Sequence, residues 1–290
     1  MPSFRTVIKS LIRIIRPVPI VKANIAVLSP SELLKGRNAI ITGGTSGIGH
    51  QIARSFLNAG ASVLITGRSQ ARIDSSIEEI IQAIPNCRGR LSGLVMDVCD
   101  IANMEKSFDK CVGLLNGRID ILVNNAGLEG GHINTCEEKD FDAIVNTNMK
   151  GVFFLSRIVA RHMIANGIQG NILNVCSSSS VRPANSAYTM SKWAVRGFTE
   201  GLARMLAPKG IVVNGIAPGM TATPMMKKGG SDDDLSLPQT LIGRYATPEE
   251  IANMAAILVS DMCRTVVGDV LYMTGGSGNI FNGDVNYNFQ

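Results

Sequence analysis

The 290-residue chain is 45% hydrophobic, has 30 glycines and few aromatics, and shows no linker that would split one large α/β domain in two. That composition excludes a disordered or fibrous protein. The net charge of +5 resides in residues 1–31, where Arg5, Lys9, Arg13, Arg16 and Lys22 occur without an acid, so the body is balanced and lacks the charge of a nucleic-acid protein.

The basic segment belongs to an N-terminal extension, residues 1–35, ahead of a domain over residues 36–290. In RTVIKSLIRIIRPVPIVKANIAV the cations recur too often for a membrane span of about twenty apolar residues. No uncharged core with a small-residue cleavage site marks a secretory signal. Three readings stay open: an amphipathic element on a membrane surface or partner, a helix packed on the domain, and an organellar transit peptide. A cytoplasmic location is expected, with organellar and membrane-peripheral ones as the alternatives. Cys87, Cys99, Cys111, Cys136, Cys176 and Cys263 form no C-x-x-C pair, and His50, His132 and His162 are scattered. The cysteines therefore read as small buried residues of a reducing compartment, and no metal is expected.

From residue 38 onward, short Val- and Ile-rich runs alternate with longer helical stretches, a rhythm that predicts β-α-β units. The expected strands are NAIIT (38–42), SVLIT (62–66), GLVMDV (93–98), ILVNN (121–125), NILNV (171–175), IVVNGI (211–216) and DVLYM (269–273). Their near-continuous hydrophobicity fits burial on both faces. The expectation is an α/β protein, a single doubly wound domain with about seven parallel strands and helices on both faces. Pro248-Glu249-Glu250 after Thr247 marks a helix start, with the threonine as N-cap and acids in the first turn. MKKGGSDDDLSLP, residues 226–238, has no core pattern and reads as a mobile loop or lid.

Directly after the first strand, TGGTSGIG (42–49) opens into the helical pattern HQIARSFLNAG. Glycines there allow a tight turn and let a pyrophosphate approach the backbone, while the helix start offers free amides. The spacing of Gly43, Gly47 and Gly49 differs from G-x-G-x-x-G. It resembles the T-G-x-x-x-G-x-G pattern of the short-chain dehydrogenase/reductase family, a Rossmann-type fold. The resemblance extends over roughly residues 36–280, with further motifs in the family's order: NNAG (124–127), NTNMKG (146–151), NVCSSSS (174–180), YTMSK (188–192) and PGMTATP (218–224).

The resemblance implies a dinucleotide held by Gly43, Thr45, Ser46, Gly47, Ile48 and Gly49, by Asp97 and Val98 at the adenine, and by Asn124, Ala126 and Gly127 beside the fourth strand. Pro218, Gly219 and Thr223 would hold the nicotinamide carboxamide, and Asn148 would kink its helix and hold a water that relays protons. Tyr188 and Lys192 lie four positions apart, on one face of a helix, where the ammonium stabilises a phenolate. That spacing alone also occurs on solvated helices; the resemblance makes Tyr188 the acid/base and has Lys192 also bind the nicotinamide ribose. Ser177 aligns with the family's catalytic serine, eleven residues before Tyr188. The family's spacing is twelve or thirteen, which leaves Ser178 as the competing assignment.

At the end of the second strand, Gly67-Arg68 stands where an NAD enzyme commonly has an aspartate for the ribose hydroxyls. A guanidinium suits a 2′-phosphate instead, so NADP(H) is favoured over NAD(H). The expected function is hydride transfer between NADP(H) and a small-molecule carbonyl or secondary alcohol; the alternative is an inactive nucleotide-binding scaffold or sensor. Family likeness also implies a homo-oligomer, a tetramer or dimer.

Overall fold

The structure is a computed structural model that describes residues 29–224 and 234–277. Seven parallel strands form one sheet in the order β3-β2-β1-β4-β5-β6-β7. They are β1 (Asn38–Thr42), β2 (Ser62–Gly67), β3 (Leu91–Val95), β4 (Ile121–Asn124), β5 (Asn171–Val175), β6 (Val212–Pro218) and β7 (Val270–Met273). The helices are α1 (Gly47–Asn58), α2 (Gln70–Ala83), α3 (Met104–Leu114), α4 (Glu138–Val145), α5 (Val152–Ala165), α6 (Ala187–Leu206) and α7 (Pro248–Leu258).

Alternation along each strand divides the core into two layers. Ala39, Ile41, Val63, Ile65, Ile121 and Val123 face α1, α2 and α7, where Ile52, Phe56, Ile73 and Ile251 meet them. Ile40, Leu64, Leu122, Ile172 and Val213 face the other way, against Phe108, Leu155 and Leu202 of α3, α5 and α6. Both faces of the sheet are thus covered, which explains why the central strands read as unbroken apolar runs.

β1 and β5 have the boundaries expected from sequence, and the others differ by one or two residues except β3. That strand starts two residues earlier and ends three earlier than the run GLVMDV. It is the half-buried edge strand, and Met96 and Val98 beyond its end are apolar because they enter the second core layer. The helix at Pro248 starts as expected, with Thr247 and Glu250 forming a reciprocal capping box.

The extension up to residue 28, Met225 and residues 226–233 of the loop lie outside the described residues, so the readings of the basic segment do too. Residues 29–35, counted with the extension, include a turn at Pro30–Glu32 and the fully buried Leu34, whose amide donates to Ala59 O at 2.8 Å. Among the described residues no helix is long and apolar enough to cross a membrane. All six cysteines are free; Cys87, Cys111 and Cys176 are buried, whereas Cys99, Cys136 and Cys263 are only partly so, contrary to the sequence expectation.

Candidate active site

The strand order reverses between β1 and β4, and the two chains leaving those strands diverge there to open a crevice. Gly43 follows β1 at φ +63°, and a Cβ on it would lie 2.9 Å from Ala126 Cα. Asn125 clamps the two exits together: its Nδ2 donates to Thr42 O at 2.9 Å and to Gly43 O at 3.0 Å. The amides of Asn125 and Ala126 donate to Thr42 Oγ1 at 3.0 and 3.1 Å. Gly47, at φ +56°, begins α1, and a Cβ there would project toward Thr223 at 3.5 Å. Ser46 makes no side-chain cap, so the first-turn amides of α1 are left for an anion.

These loops bound a cleft of about 540 Å³, within the size range of small-molecule and cofactor sites. A bare backbone cradle at a helix N-terminus, where a β-carbon would intrude, fits the pyrophosphate of a dinucleotide. At one end of the cleft lie Arg68 and, one helical turn on, Arg72, with Ser69 capping α2 by accepting from the Arg72 amide at 3.5 Å. Asp97 borders the same end, and its Oδ1 accepts from the Cys99 amide at 2.9 Å.

The opposite end is built on β5 and α6. Past Val175 the chain turns at Ser177, whose Oγ accepts from the Ser179 amide at 3.1 Å. Its hydroxyl hydrogen is therefore free to donate elsewhere. Ser180 secures the turn, donating to Ser177 O at 2.7 Å and pairing with Tyr272 OH at 3.1 Å. Ser186 then caps α6, accepting from the Thr189 amide at 3.1 Å. Tyr188 and Lys192 follow on the same face, with the ammonium 5.7 Å from the phenol ring centroid. Lys192 is buried, and Nζ donates to Val175 O at 2.8 Å. Burial pushes the neighbouring Cys176 thiol up to about 11, so it stays protonated beside Ser177 at neutral pH.

Between α4 and α5 the segment Asn146–Gly151 is a π-helix, a form of helix interruption common at functional sites. Asn148 explains how it is held. Its Oδ1 accepts from the Leu128 amide at 2.8 Å, and its Nδ2 donates to Leu128 O and to Ser191 Oγ, both at 2.9 Å. Ser191 Oγ in turn donates to Tyr188 O at 2.6 Å. One buried amide thus ties the β4 exit to the helix bearing Tyr188.

The cleft brings together Gly43, Thr45, Ser46, Gly47, Ile48, Arg68, Asp97, Val98, Ala126, Gly127, Ser177, Tyr188, Lys192, Pro218, Gly219 and Thr223. Three residues expected from the sequence stand behind its wall instead. Gly49 packs α1 against the loop, since a Cβ would fall 2.3 Å from Asn125 Nδ2. Asn124 points away from the cleft and donates to Ser156 Oγ at 2.9 Å and Asn174 Oδ1 at 2.8 Å, leaving the pocket wall to Asn125, because successive strand residues face opposite ways. Asn148 has its side chain occupied as described. Ser178 lines the cleft beside Ser177, so position alone does not separate them. Arg72, Asn125, Glu129 and Arg182 also line it and were not singled out from sequence. For Arg72 the signal was the four-residue spacing from Arg68; for Arg182 it was a lone cation inside the serine-to-tyrosine loop.

The chain matches the short chain dehydrogenase family model over residues 37–234. It is 35% identical over 247 residues to a 3-oxoacyl-[acyl-carrier-protein] reductase of Thermotoga maritima, an alignment covering 84% of this chain and 98% of that protein. A short chain dehydrogenase of Burkholderia cenocepacia, solved with NADP, superposes with a TM-score of 0.74 at 32% identity, covering 85% of this chain and 99% of the other. A 3-ketoacyl-(acyl-carrier-protein) reductase of Brucella melitensis, solved with NADH, gives 0.75 at 30% identity over 84% and 99%. The parallel seven-stranded fold and the ordered motifs agree with these likenesses, and the chain belongs to the short-chain dehydrogenase/reductase family of oxidoreductases.

Proposed function

We propose that the protein transfers a hydride between NADP(H) and a carbonyl or secondary-alcohol substrate, with Tyr188 as the acid/base. The observation that carries this reading is the convergence of Ser177, Tyr188 and Lys192 on the cleft that also holds the glycine loop. When bound, NADP(H) supplies the hydride in reduction and accepts it in oxidation. Tyr188 gives its phenolic proton to the substrate oxygen in reduction and removes it in oxidation. Lys192 stabilises the phenolate that remains, its ammonium being 5.7 Å from the ring centroid. Ser177 donates its hydroxyl hydrogen to the substrate oxygen while the Ser179 amide fixes the serine oxygen at 3.1 Å. Asn148 fixes the relative placement of the β4 exit and α6 through its contacts to Leu128 and Ser191.

Arg68 and Arg72 favour the phosphorylated cofactor, since neither is in an ion pair among the described residues and both border the cleft. The NADP seen in the Burkholderia protein supports the preference, and the NADH seen in the Brucella protein supports NAD(H) as a second cofactor. The test is consumption of NADPH and NADH by the full-length protein over a panel of ketones, oxo esters and oxo acids. Turnover faster with NADPH is expected; no turnover across the panel in either direction overturns the reading.

A further inference from the structure

Arg182 lies in the loop from β5 to α6 and lines the cleft with Ser177 and Tyr188. Its backbone is fixed from two sides, its amide donating to Ser179 O at 3.4 Å and its carbonyl accepting from Trp193 Nε1 at 2.8 Å. The half-buried side chain reaches across to the segment after β7, where Nη2 donates to Ser277 Oγ at 3.0 Å. The guanidinium is otherwise unmatched among the described residues: Nε is buried without an acceptor, and no carboxylate lies within 4.0 Å of it.

A guanidinium is always charged and presents a planar fork of donors, so one that is half-buried beside a reaction centre is stabilised by an anion arriving with the ligand. The two ends of the cleft differ in their cation count. Arg68 and Arg72 together suit a phosphate dianion, whereas among the described residues Arg182 is the one arginine at the reaction end, its amide bonded to Ser179 O. Lys192 is already committed to Val175 O at 2.8 Å. Glu129, the acid lining this end among the described residues, is exposed and forms no ion pair with Arg182 there. Among the described residues, one cation beyond Lys192 stands among these hydroxyls, which matches a monoanion.

We propose that Arg182 binds a carboxylate of the substrate, so that the enzyme acts on oxo acids and, in the reverse direction, hydroxy acids. The inference rests on the reductase reading above. Arg182 contacts the substrate and sets specificity; the proton still comes from Tyr188. Because Nη2 is held by Ser277 Oγ at 3.0 Å, the guanidinium is positioned before the substrate arrives, which lowers the ordering cost of binding.

The experiment uses the full-length protein with NADPH and matched pairs of 3-, 4- and 5-oxo acids and their methyl esters, which differ only in the charge. For at least one pair, kcat/KM is expected to favour the acid by about 10- to 150-fold, the range of a charge-assisted hydrogen bond. Arg182→Met should remove that preference by raising KM for the acid while leaving the ester within about threefold. Arg182→Lys should restore part of it. Equal efficiency on acid and ester in every pair, or equal losses on both in Arg182→Met, overturns this proposal and leaves the reductase reading standing. Turnover of no member of any pair overturns the proposal, while turnover of neutral ketones in the same assay would show that the reductase reading survives it. Preference for a phosphorylated ketone over every oxo acid would also overturn it.

Discussion

The two ends of the sheet use the same residue types in opposite ways. At the amino ends of the strands, charges and amides pair with one another, although Arg37 Nε, 3.8 Å from Asp120 Oδ1, makes no hydrogen bond. Asp120 accepts from the Asn38 amide at 3.0 Å and from Arg118 Nε at 2.8 Å, and Arg37 reaches Asn171 Oδ1 at 2.7 Å and Asp261 at 3.3 Å. Burial pulls the Arg37 pKa below its usual value, with Asp120 and Asp261 opposing that shift. At the carboxyl ends, Arg68, Arg72 and Arg182 border an open cleft and make no ion pair among the described residues. A polar group closed on a protein partner stabilises; one aimed into a cleft is available for a ligand. The difference can be tested by asking which end loses stability and which loses turnover.

The largest effect is expected at the cleft end. Tyr188→Phe keeps the ring that faces Lys192 and removes only the transferable proton, so kcat should fall by about 10²–10⁴-fold. Unfolding temperature and NADPH affinity should stay close to wild type. More than about a tenth of wild-type kcat would remove Tyr188 from the acid/base role. The same assay on Ser177→Ala and Ser178→Ala decides the serine, with the greater loss expected at Ser177.

At the paired end the signature reverses. Asp120 is almost fully buried, and removing it strands the Asn38 amide and takes one of two carboxylates from Arg37, which keeps Asn171 and Asp261. Asp120→Ala should cost about 3–5 kcal/mol of unfolding free energy while kcat of the folded fraction stays within about twofold. Unchanged denaturant stability would show that this cluster is not structural.

Arg68→Ala lies between these extremes, because its side chain is exposed. NADPH should lose about 10- to 150-fold in KM relative to NADH if one charge-assisted bond is removed, with salt screening drawing the value toward the lower limit. Adding Arg72→Ala should deepen the shift. Equal changes for both cofactors would leave both arginines as surface residues.

How far this contrast could be read in advance depended on how local each signal was. β1 and β5 were legible to the residue because a central parallel strand buries both faces and its apolar run ends where burial ends. β3 was misplaced because an edge strand is only half-buried, and the apolar Met96 and Val98 belong to the loop that follows it. Motif spacing placed Tyr188, Lys192 and the glycine loop on the cleft. It did not tell Asn124 from Asn125 or reveal Arg182, since which way a strand-end side chain turns, and whether a loop cation finds a carboxylate, are settled by distant segments. Asn124 meets Asn174, fifty residues away, at 2.8 Å.

The smallest effect sharpens the comparison, because it concerns a closed polar cluster at the cleft end. Thr247 caps α7 by accepting from the Glu250 amide at 3.3 Å, and Glu250 returns the bond, accepting from the Thr247 amide at 2.9 Å. The adjoining Ala246 amide donates to Met220 O at 2.9 Å, on the segment that carries Thr221 and Thr223 into the cleft. Thr247→Ala should cost about 1 kcal/mol of stability without altering kcat, placing it with the Asp120 cluster in kind though not in size. Glu250 adds a pH test. Hydrogen bonds from Arg244 and the Thr247 amide lower its pKa to about 2, so its contribution is fully present above the ordinary carboxylate range and is lost as pH falls toward 2. Glu250→Gln should therefore be less stable than wild type near neutrality and converge with it as the solution is acidified. Part of the gap should close in high salt, because both partners of the Arg244–Glu250 pair are about two-fifths exposed. A gap that is constant across that pH range would assign the effect to helix capping by a neutral acceptor. A loss of turnover in Thr247→Ala at unchanged stability would show that proximity to the cleft, not closure of the polar cluster, decides what a residue does.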